Sequence, residues 1–306
     1  MEKVYDLIIL GGGPASMSAG IYASQMKLDT LLIEKDSFGG QITTTSSVSN
    51  YLGFQEISGE ELSQRMHNHL LSTNIKITQE EVVKTSLNQD IKQVHTHNNV
   101  YYSKCVIIGI GTRLRNLGVE NENYYLGKGL SFLAIKDRDK YINKTVAVIG
   151  GGNSAIEDAL YLSEKCKKVY LVHRRQQFRG DEQLISELHN KNNIELVLEY
   201  KPKNILGHNK VEQLILTNIP TNEDKQLDID GIFLAIGRGA DTDIIDENIT
   251  RDSSGYIVTN ELMQTNIDGV YAIGDIRNTP LRQIVTALSD GAIAVVSANK
   301  FIKNIK

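Results

Sequence analysis

Cysteines, membrane-length apolar runs and excess positive charge are all scarce in this chain of 306 residues. The two cysteines, Cys105 and Cys166, are too few for a disulfide framework, which fits a reducing compartment. A net charge of -4 leaves no domain-wide basic face for phosphates, so we predict no nucleic-acid partner. Asp6 interrupts the N-terminal apolar run, and no stretch approaches the roughly 18 apolar residues of a membrane span. We therefore expect a soluble, cytoplasmic protein without a membrane partner.

The composition is that of an ordinary globular protein. Hydrophobic residues make up 41% of the chain and charged residues 23%, which is enough to bury a substantial core. The length is too great for one small domain and predicts two.

One sequence pattern occurs twice. Residues 5–35 and 144–175 each read as a buried strand, a glycine turn, a helix and a second strand. Each continues with alternating sequence typical of an antiparallel meander, and each ends on a similar phrase, CVIIGIG or IDGIFLAIG. This order predicts an α/β fold of two doubly wound, Rossmann-like dinucleotide-binding domains (three-layer β/β/α), one inserted in the other. We place the first domain at 1–113 and 245–306 and the second at 117–243.

The first glycine turn, GGGPAS, has the arrangement of a dinucleotide cradle. Gly11 permits a tight turn, and Gly13 lets the backbone approach a pyrophosphate at the helix N-terminus. Glu34, at the end of the next strand, can accept hydrogen bonds from ribose hydroxyls. Ser16 stands where glycine or alanine is usual, so the helix–strand packing has to accommodate a hydroxyl. The predicted first cradle consists of Gly11, Gly13, Pro14, Ala15, Ser16 and Glu34.

The second glycine turn, GGGNSA, repeats the cradle, but the strand after it leads into HRRQQFR instead of ending on an acid. An acid there would bind a 2′-hydroxyl and repel a phosphate. Arg174, Arg175 and Arg179 instead offer permanently charged donors to a 2′-phosphate, which predicts NADPH rather than NADH. The alternative is a solvated basic run on the surface. The predicted NADPH-binding residues are Gly150, Gly152, Asn153, Ser154, Ala155, Glu157, His173, Arg174, Arg175 and Arg179.

Two further stretches, GGQITTTSSVSNYLGF at 39–54 and GVYAIGDIRNTPLRQIVTALSDGAIA at 269–294, resemble motifs of the low-molecular-weight thioredoxin reductases. These enzymes are class II pyridine nucleotide-disulfide oxidoreductases, and the motif order matches theirs over nearly the whole chain. The resemblance implies FAD in the first cradle, NADPH in the second, and a homodimer. Asp275 suits a polyol hydroxyl, and a helix beginning near 282–284 would present its amides to the flavin. The resemblance adds these FAD-binding candidates: Gly40, Gln41, Asn50, Asp275, Arg282, Gln283 and Ile284.

The segment GLSFLAIKDR, residues 129–138, departs from the family pattern, which reads roughly GVSYCATCDG. Ser131 and Asp137 match that pattern, but Leu133 and Lys136 hold the two cysteine positions, and neither can exchange with a disulfide. If the backbone follows the family, Lys136 lies near the flavin as a positive charge. Asp137 would then be its ion-pair partner or a proton donor, which makes both residues catalytic candidates. The alternative is that Lys136 points to solvent.

The remaining reactive side chains carry no predicted role. Cys105 and Cys166 are expected to be inert structural thiols. Two His-x-His pairs, at 67–69 and 95–97, lack a nearby third ligand, so we predict no metal site.

The expected function is that of an NADPH-dependent FAD oxidoreductase of the thioredoxin reductase-like class that lacks a redox disulfide. Electrons would pass from NADPH through the flavin directly to an acceptor. That acceptor would be a ferredoxin- or flavodoxin-type carrier, a quinone or another small molecule. Two alternatives stay open at this point. One is a thioredoxin reductase by family name with little thiol exchange, and the other is a non-catalytic nucleotide-binding sensor.

Overall fold

The computed structural model describes residues 3–305 of the chain. Within this range the chain forms two compact units. Unit 1 contains the described residues up to Arg113 and from Gly239 onward, and unit 2 is Leu114–Arg238. Unit 2 begins and ends a few residues earlier than the domain 117–243 expected from the sequence.

The first part of the chain alternates strands and helices before a run of strands. Its strands and α-helices, in order, are β1 (Val4–Leu10), α1 (Pro14–Gln25), β2 (Thr30–Glu34), α2 (Gly59–Leu71), β3 (Lys76–Gln79), β4 (Val82–Ser86), β5 (Lys92–Thr96), β6 (Val100–Ile108) and β7 (Thr112–Leu114). A 3₁₀ helix, Gly40–Thr44, lies between β2 and α2.

Unit 2 repeats the alternation. Its elements are α3 (Glu122–Tyr125), β8 (Leu130–Ser131), α4 (Ala134–Asp137), β9 (Thr145–Gly150), α5 (Asn153–Ser163), β10 (Lys168–His173), α6 (Glu182–His189), β11 (Ile194–Leu198), β12 (Tyr200–Leu206), β13 (Gln213–Asn218), β14 (Asp224–Asp228) and β15 (Gly231–Ala235), with a 3₁₀ helix at Arg138–Tyr141. The chain then continues through β16 (Arg238–Ala240), β17 (Val270–Ala272), a 3₁₀ helix at Gly274–Ile276 and α7 (Ile284–Asn304).

The main sheet of unit 1 has seven strands in the order β3-β2-β1-β6-β5-β4, with β17 also paired to β6. Strands β1, β2, β3, β6 and β17 run parallel, whereas β4 and β5 pair antiparallel in the expected meander. The end of β1, Leu7–Leu10, is fully buried because the central strand of a parallel sheet is covered on both faces. The carboxyl ends of β1, β2, β6 and β17 therefore meet at one edge, where a doubly wound fold binds its ligand.

Unit 2 has the same architecture at smaller size. Its parallel sheet has the order β11-β10-β9-β15-β8, and β12-β13-β14 form a separate antiparallel sheet, the second expected meander. The predicted α/β fold with two Rossmann-like units is confirmed.

Helix α7 corrects one expectation from the sequence. Its 21 residues are long and apolar enough to cross a membrane by length and composition alone, although we expected no such stretch. Ala294, Val295 and Ala298 of α7 pack in the same core cluster as Ala19 and Ala23 of α1. We therefore interpret α7 as a core helix of unit 1.

Candidate functional site

The first glycine turn leaves an open, uncapped helix N-terminus. Gly11 has φ +95°, and a Cβ there would lie 2.6 Å from the Gly109 carbonyl oxygen, so only glycine fits. Gly13 is the N-cap of α1 and Pro14 its first residue, and no side chain among residues 3–305 caps the helix. A Cβ on Gly13 would meet nothing within 4 Å. The first amides of α1 therefore face free space, as pyrophosphate binding requires.

Ser16 fits the third position of the turn because its hydroxyl has a place of its own. Ser16 Oγ donates to the carbonyl oxygens of Leu10 at 3.4 Å and Gly109 at 3.3 Å. A Cβ on Gly109 would run into this oxygen. The absence of a side chain at Gly109 thus compensates for the extra hydroxyl at Ser16.

Glu34 ends β2 and is anchored beside the turn. The amide of Gly12 donates to Glu34 Oε2, and the amide of Asp36 donates to Oε1 at 2.8 Å. Each carboxylate oxygen keeps a further lone pair, which allows it to accept from ribose hydroxyls.

Four of the other FAD candidates form two hydrogen-bonded pairs within unit 1. Gln41 Nε2 donates to Asp275 Oδ2 at 3.3 Å and to Thr112 Oγ1 at 2.8 Å. Asn50 Nδ2 donates to Gln283 Oε1 at 2.9 Å, and Gln283 caps α7. These side chains, with the open turn at α1, fit a dinucleotide bearing a polyol.

Two more contacts connect the remaining candidates to this group. Gly40 starts its 3₁₀ helix so close to the first turn that a Cβ there would lie 3.5 Å from Gly13 Cα. Arg282 Nε donates to the Asp275 carbonyl oxygen at 3.4 Å, and its guanidinium lies 4.0 Å from the centre of the Tyr256 ring.

Asp290 supports this site, and the sequence analysis missed it. Its side chain lies in α7, nearly buried, where Oδ2 accepts from the Gly274 amide at 3.0 Å and lies 3.5 Å from Arg277 Nη1. Burial raises the pKa of Asp290 despite the opposing Arg277 charge and Gly274 amide. Asp290 therefore ties α7 to the segment that carries Asp275. A charged residue within an otherwise apolar helix face was the signal available in the sequence.

The second glycine turn repeats the first. Gly152 is the N-cap of α5. In the described part of the chain no side chain caps that helix, and a Cβ on Gly152 would meet no atom within 4 Å. A Cβ on Gly150 would lie 2.6 Å from the Cβ of Ala155, which explains the small residues at both positions. Ser154 and Glu157 are exposed.

The arginines after β10 are free to bind an anion. Arg174, Arg175 and Arg179 are exposed, and within residues 3–305 none of them forms an ion pair. A surface depression of about 490 Å³ lies beside them, lined by Arg175, Gln176, Gln177, Phe178 and Arg179. Burial and the arginine charges lower the pKa of His173, although a backbone hydrogen bond at Gln177 opposes them. The uncapped helix and the unpaired guanidinium groups fit a nucleotide with an extra phosphate.

The segment at 129–138 lacks the chemistry of a dithiol and has an apolar, exposed surface. Leu133 is 42% exposed and Ile135 70% exposed, whereas Ala134 between them is buried. Lys136 is exposed and forms no ion pair in the described part of the chain.

Asp137 does not pair with Lys136, which was one of the expectations. Its Oδ1 accepts from Lys140 Nζ at 2.7 Å and its Oδ2 from Ser131 Oγ at 2.6 Å. The physical reason is helical spacing: residue 140 lies on the same face as residue 137, whereas residue 136 is about 100° away. Partial burial alone would raise the pKa of Asp137, but the hydrogen bonds from Lys140 and Ser131 and the lysine charges outweigh it and lower the pKa. Asp137 is therefore ionised near neutral pH and poorly suited to donate a proton.

Both cysteines are buried free thiols in different units. Cys105 lies inside β6, and burial raises its pKa to about 12. Cys166 follows α5, and burial raises its pKa to about 11. Neither thiol is prepared to react, because thiolate is the reactive form.

Comparisons with known proteins agree with this geometry. The pyridine nucleotide-disulphide oxidoreductase family model matches residues 5–291. The thioredoxin reductase of Mycoplasma genitalium is 39% identical over 297 residues, covering 96% of this chain and 94% of its own. A Clostridium pasteurianum chain described as a 34.2 kDa protein in the rubredoxin operon is 36% identical over 302 residues, covering 98% of both chains. The crystal structure of Lactococcus lactis thioredoxin reductase has a TM-score of 0.82 at 33% identity, covering 98% of this chain and 99% of its own.

Proposed function

The chain belongs to the pyridine nucleotide-disulphide oxidoreductase family, as a thioredoxin reductase-like member, and from this premise we propose that it passes electrons from NADPH through FAD directly to an acceptor, without a protein disulfide. The family uses FAD and NADPH, and the protein is an oxidoreductase of that class. When bound, the flavin supplies the hydride and electron chemistry, and the protein supplies binding, orientation and charge.

The observation that carries this proposal is the absence of a dithiol. Leu133 and Lys136 stand where the family pattern has cysteines, and the two cysteines that do occur are separate, buried and protonated. Disulfide exchange needs one attacking and one resolving sulfur, and no pair in this chain meets that need. This feature favours direct transfer over ordinary thioredoxin reductase activity, although several relatives carry the name thioredoxin reductase.

The binding residues support a division of labour between the units. In unit 1, the N-terminus of α1, Glu34, Gln41 and Asp275 would hold FAD. In unit 2, the N-terminus of α5 and the three arginines would hold NADPH. Free helix amides and unpaired guanidinium groups favour phosphates because both present uncompensated positive charge.

The acceptor is proposed only as a class: a ferredoxin- or flavodoxin-type carrier, a quinone or another small molecule. Two electrons leave NADPH with its hydride, so two molecules of a one-electron carrier would be reduced for each NADPH. We also propose a cytoplasmic homodimer, as the resemblance implies.

Lys136 is the residue for which we propose a role beyond binding. Within residues 3–305 Lys136 forms no ion pair, and if its segment approaches the flavin as in the family, its ammonium group would stabilise reduced, anionic flavin and thereby raise the midpoint potential. Lys136→Ala should lower that potential, measured by spectroelectrochemistry of the FAD-loaded protein. Lys140→Ala is a matched control, since Lys140 already pairs with Asp137. An unchanged potential in Lys136→Ala would assign Lys136 to solvent.

The proposed function is tested by anaerobic reduction with NADPH followed by a panel of acceptors. Loss of flavin absorbance on mixing with NADPH, followed by recovery on adding a carrier or quinone, supports the proposal. Reduction of thioredoxin by the purified protein and NADPH would overturn it. Absence of flavin bleaching would favour a nucleotide-binding sensor instead.

A further inference from the structure

The segment that carries the three arginines is held against the second glycine turn by several contacts. We call residues 174–181 the arginine loop. The Arg179 amide donates to the Gly151 carbonyl oxygen at 2.8 Å. The Phe178 ring stacks on His173 with ring centres 5.4 Å apart and an interplanar angle of 20°. The loop therefore has a fixed path beside the turn, although its guanidinium groups are exposed.

Asn153 supplies the side-chain contact at the end of this loop. Asn153 is the first residue of α5, and its Oδ1 accepts from the Asp181 amide at 2.8 Å. Asp181 is the N-cap of α6. Between these two contacts, Gly180 passes so close to α5 that a Cβ there would run into Ile156. One side chain thus joins the start of α5 to the end of the arginine loop and the start of α6.

From this geometry we propose that Asn153 is a positioning residue for nucleotide specificity. The start of α5 is where a pyrophosphate binds, and the arginine loop is where a 2′-phosphate binds. A nucleotide bearing both groups needs both elements at a fixed separation, and Asn153 sets that separation. The inference rests on the proposed NADPH site and extends it from the arginines that contact the phosphate to the residue that holds them.

Loss of the Asn153 contact should weaken the binding of nucleotides that carry a 2′-phosphate more than the binding of nucleotides that lack it. Without the Asn153 contact, the arginine loop has more conformations to lose when it binds a 2′-phosphate, so that binding pays an added entropy cost. A nucleotide without a 2′-phosphate does not need the ordered loop and avoids this cost. A role of Asn153 in contacting the pyrophosphate would instead weaken both nucleotides equally.

The test compares two ligands on the FAD-loaded protein by isothermal titration calorimetry. Adenosine 2′,5′-bisphosphate and 5′-AMP differ only in the 2′-phosphate. The dissociation constant of 5′-AMP divided by that of the bisphosphate therefore measures the contribution of that group. Asn153→Ala should reduce this ratio by about 2- to 10-fold, the range expected for one lost hydrogen bond. In turnover assays, the same variant should raise the KM for NADPH by a larger factor than the KM for NADH.

Two variants serve as controls. Asn153→Asp keeps the acceptor oxygen but adds a negative charge that opposes the bisphosphate more than 5′-AMP, so its ratio should return to that of the wild type only at high ionic strength, where this charge is screened. Ser154→Ala changes the neighbouring exposed residue, and it should alter both affinities by the same factor. A ratio unchanged in Asn153→Ala would overturn the positioning role. A wild-type protein that binds the bisphosphate no more tightly than 5′-AMP would overturn the NADPH site itself, and with it this inference.

Discussion

The contact between Ser16 and Gly109 offers a sharp test of how the proposed FAD cradle is built. Gly109 follows β6 and does not have the positive φ that would require glycine, so alanine is allowed by the backbone. An added Cβ would nevertheless fall well under 3.0 Å from Ser16 Oγ, and would lie 3.1 and 3.2 Å from two carbons of Ile273. Gly109→Ala should therefore destabilise unit 1 by about 1–3 kcal/mol through overpacking.

The matching variant is Ser16→Ala, which removes the clashing oxygen. Alone it should cost about 0.5–1.5 kcal/mol, because the hydroxyl donates to two carbonyl oxygens. In the double variant the new methyl group occupies the space left by the hydroxyl. The double variant should therefore be more stable than the sum of the two single losses predicts, by a coupling free energy of about 1–2 kcal/mol.

The assay is urea denaturation of the four proteins, followed by far-UV circular dichroism and by release of FAD. The expected order of stability places the double variant above Gly109→Ala. If the double variant loses as much stability as the two single variants together, Ser16 Oγ is not what excludes a side chain at Gly109. The explanation of how the turn accommodates a serine at position 16 would then be wrong.

Three further predictions follow from buried titratable groups. Asp290→Asn should weaken FAD binding to the apoprotein by about tenfold or more, because Arg277 loses its buried counter-charge; an unchanged dissociation constant in a fluorescence titration would contradict the link from α7 to Asp275. Burial, helped by the charge of Glu157, raises the pKa of Asp158 from 3.8 to about 6. The folded state therefore binds more protons than the unfolded state between about pH 4 and 6, and stability falls as pH rises through that window, by roughly 2–3 kcal/mol. The difference in unfolding free energy between the wild type and Asp158→Asn should change by about this amount between pH 4.5 and 7 in urea titrations, and a difference that does not depend on pH would refute the assignment. Finally, Cys105 and Cys166 should not react with a thiol reagent at pH 8 in the native protein, and should give two thiols per chain after denaturation; rapid native reaction would disprove their inertness.

The fold was predictable from sequence because its signals are local. Short runs such as Leu7–Leu10 are apolar enough to be buried on both faces, and each is followed at once by a glycine turn and a helix. The duplication of that pattern fixes the architecture. The boundary between the two units carries no comparable sequence signal. For this reason the sequence placed the end of the second domain at 243, whereas unit 2 ends at Arg238.

The site residues that sequence reasoning missed act through long-range contacts. Asp290 accepts a hydrogen bond from Gly274, which lies 16 positions away in the sequence. Gly109 and Ser16, which pack against each other, are 93 positions apart. The partner of Asp137 is a local matter. An ion pair with the adjacent Lys136 was one of the alternatives from the sequence, whereas a helical turn brings Lys140 to Asp137.

The central claim, that reducing equivalents stop at the flavin and do not pass to a protein dithiol, is tested most directly by counting electrons. The FAD-loaded protein is titrated anaerobically with dithionite, and the flavin absorbance is followed to its endpoint. A flavin without a dithiol accepts two electrons, so the account predicts an endpoint of about two electrons per FAD. An endpoint of about four electrons per FAD would show a redox-active disulfide and would contradict it.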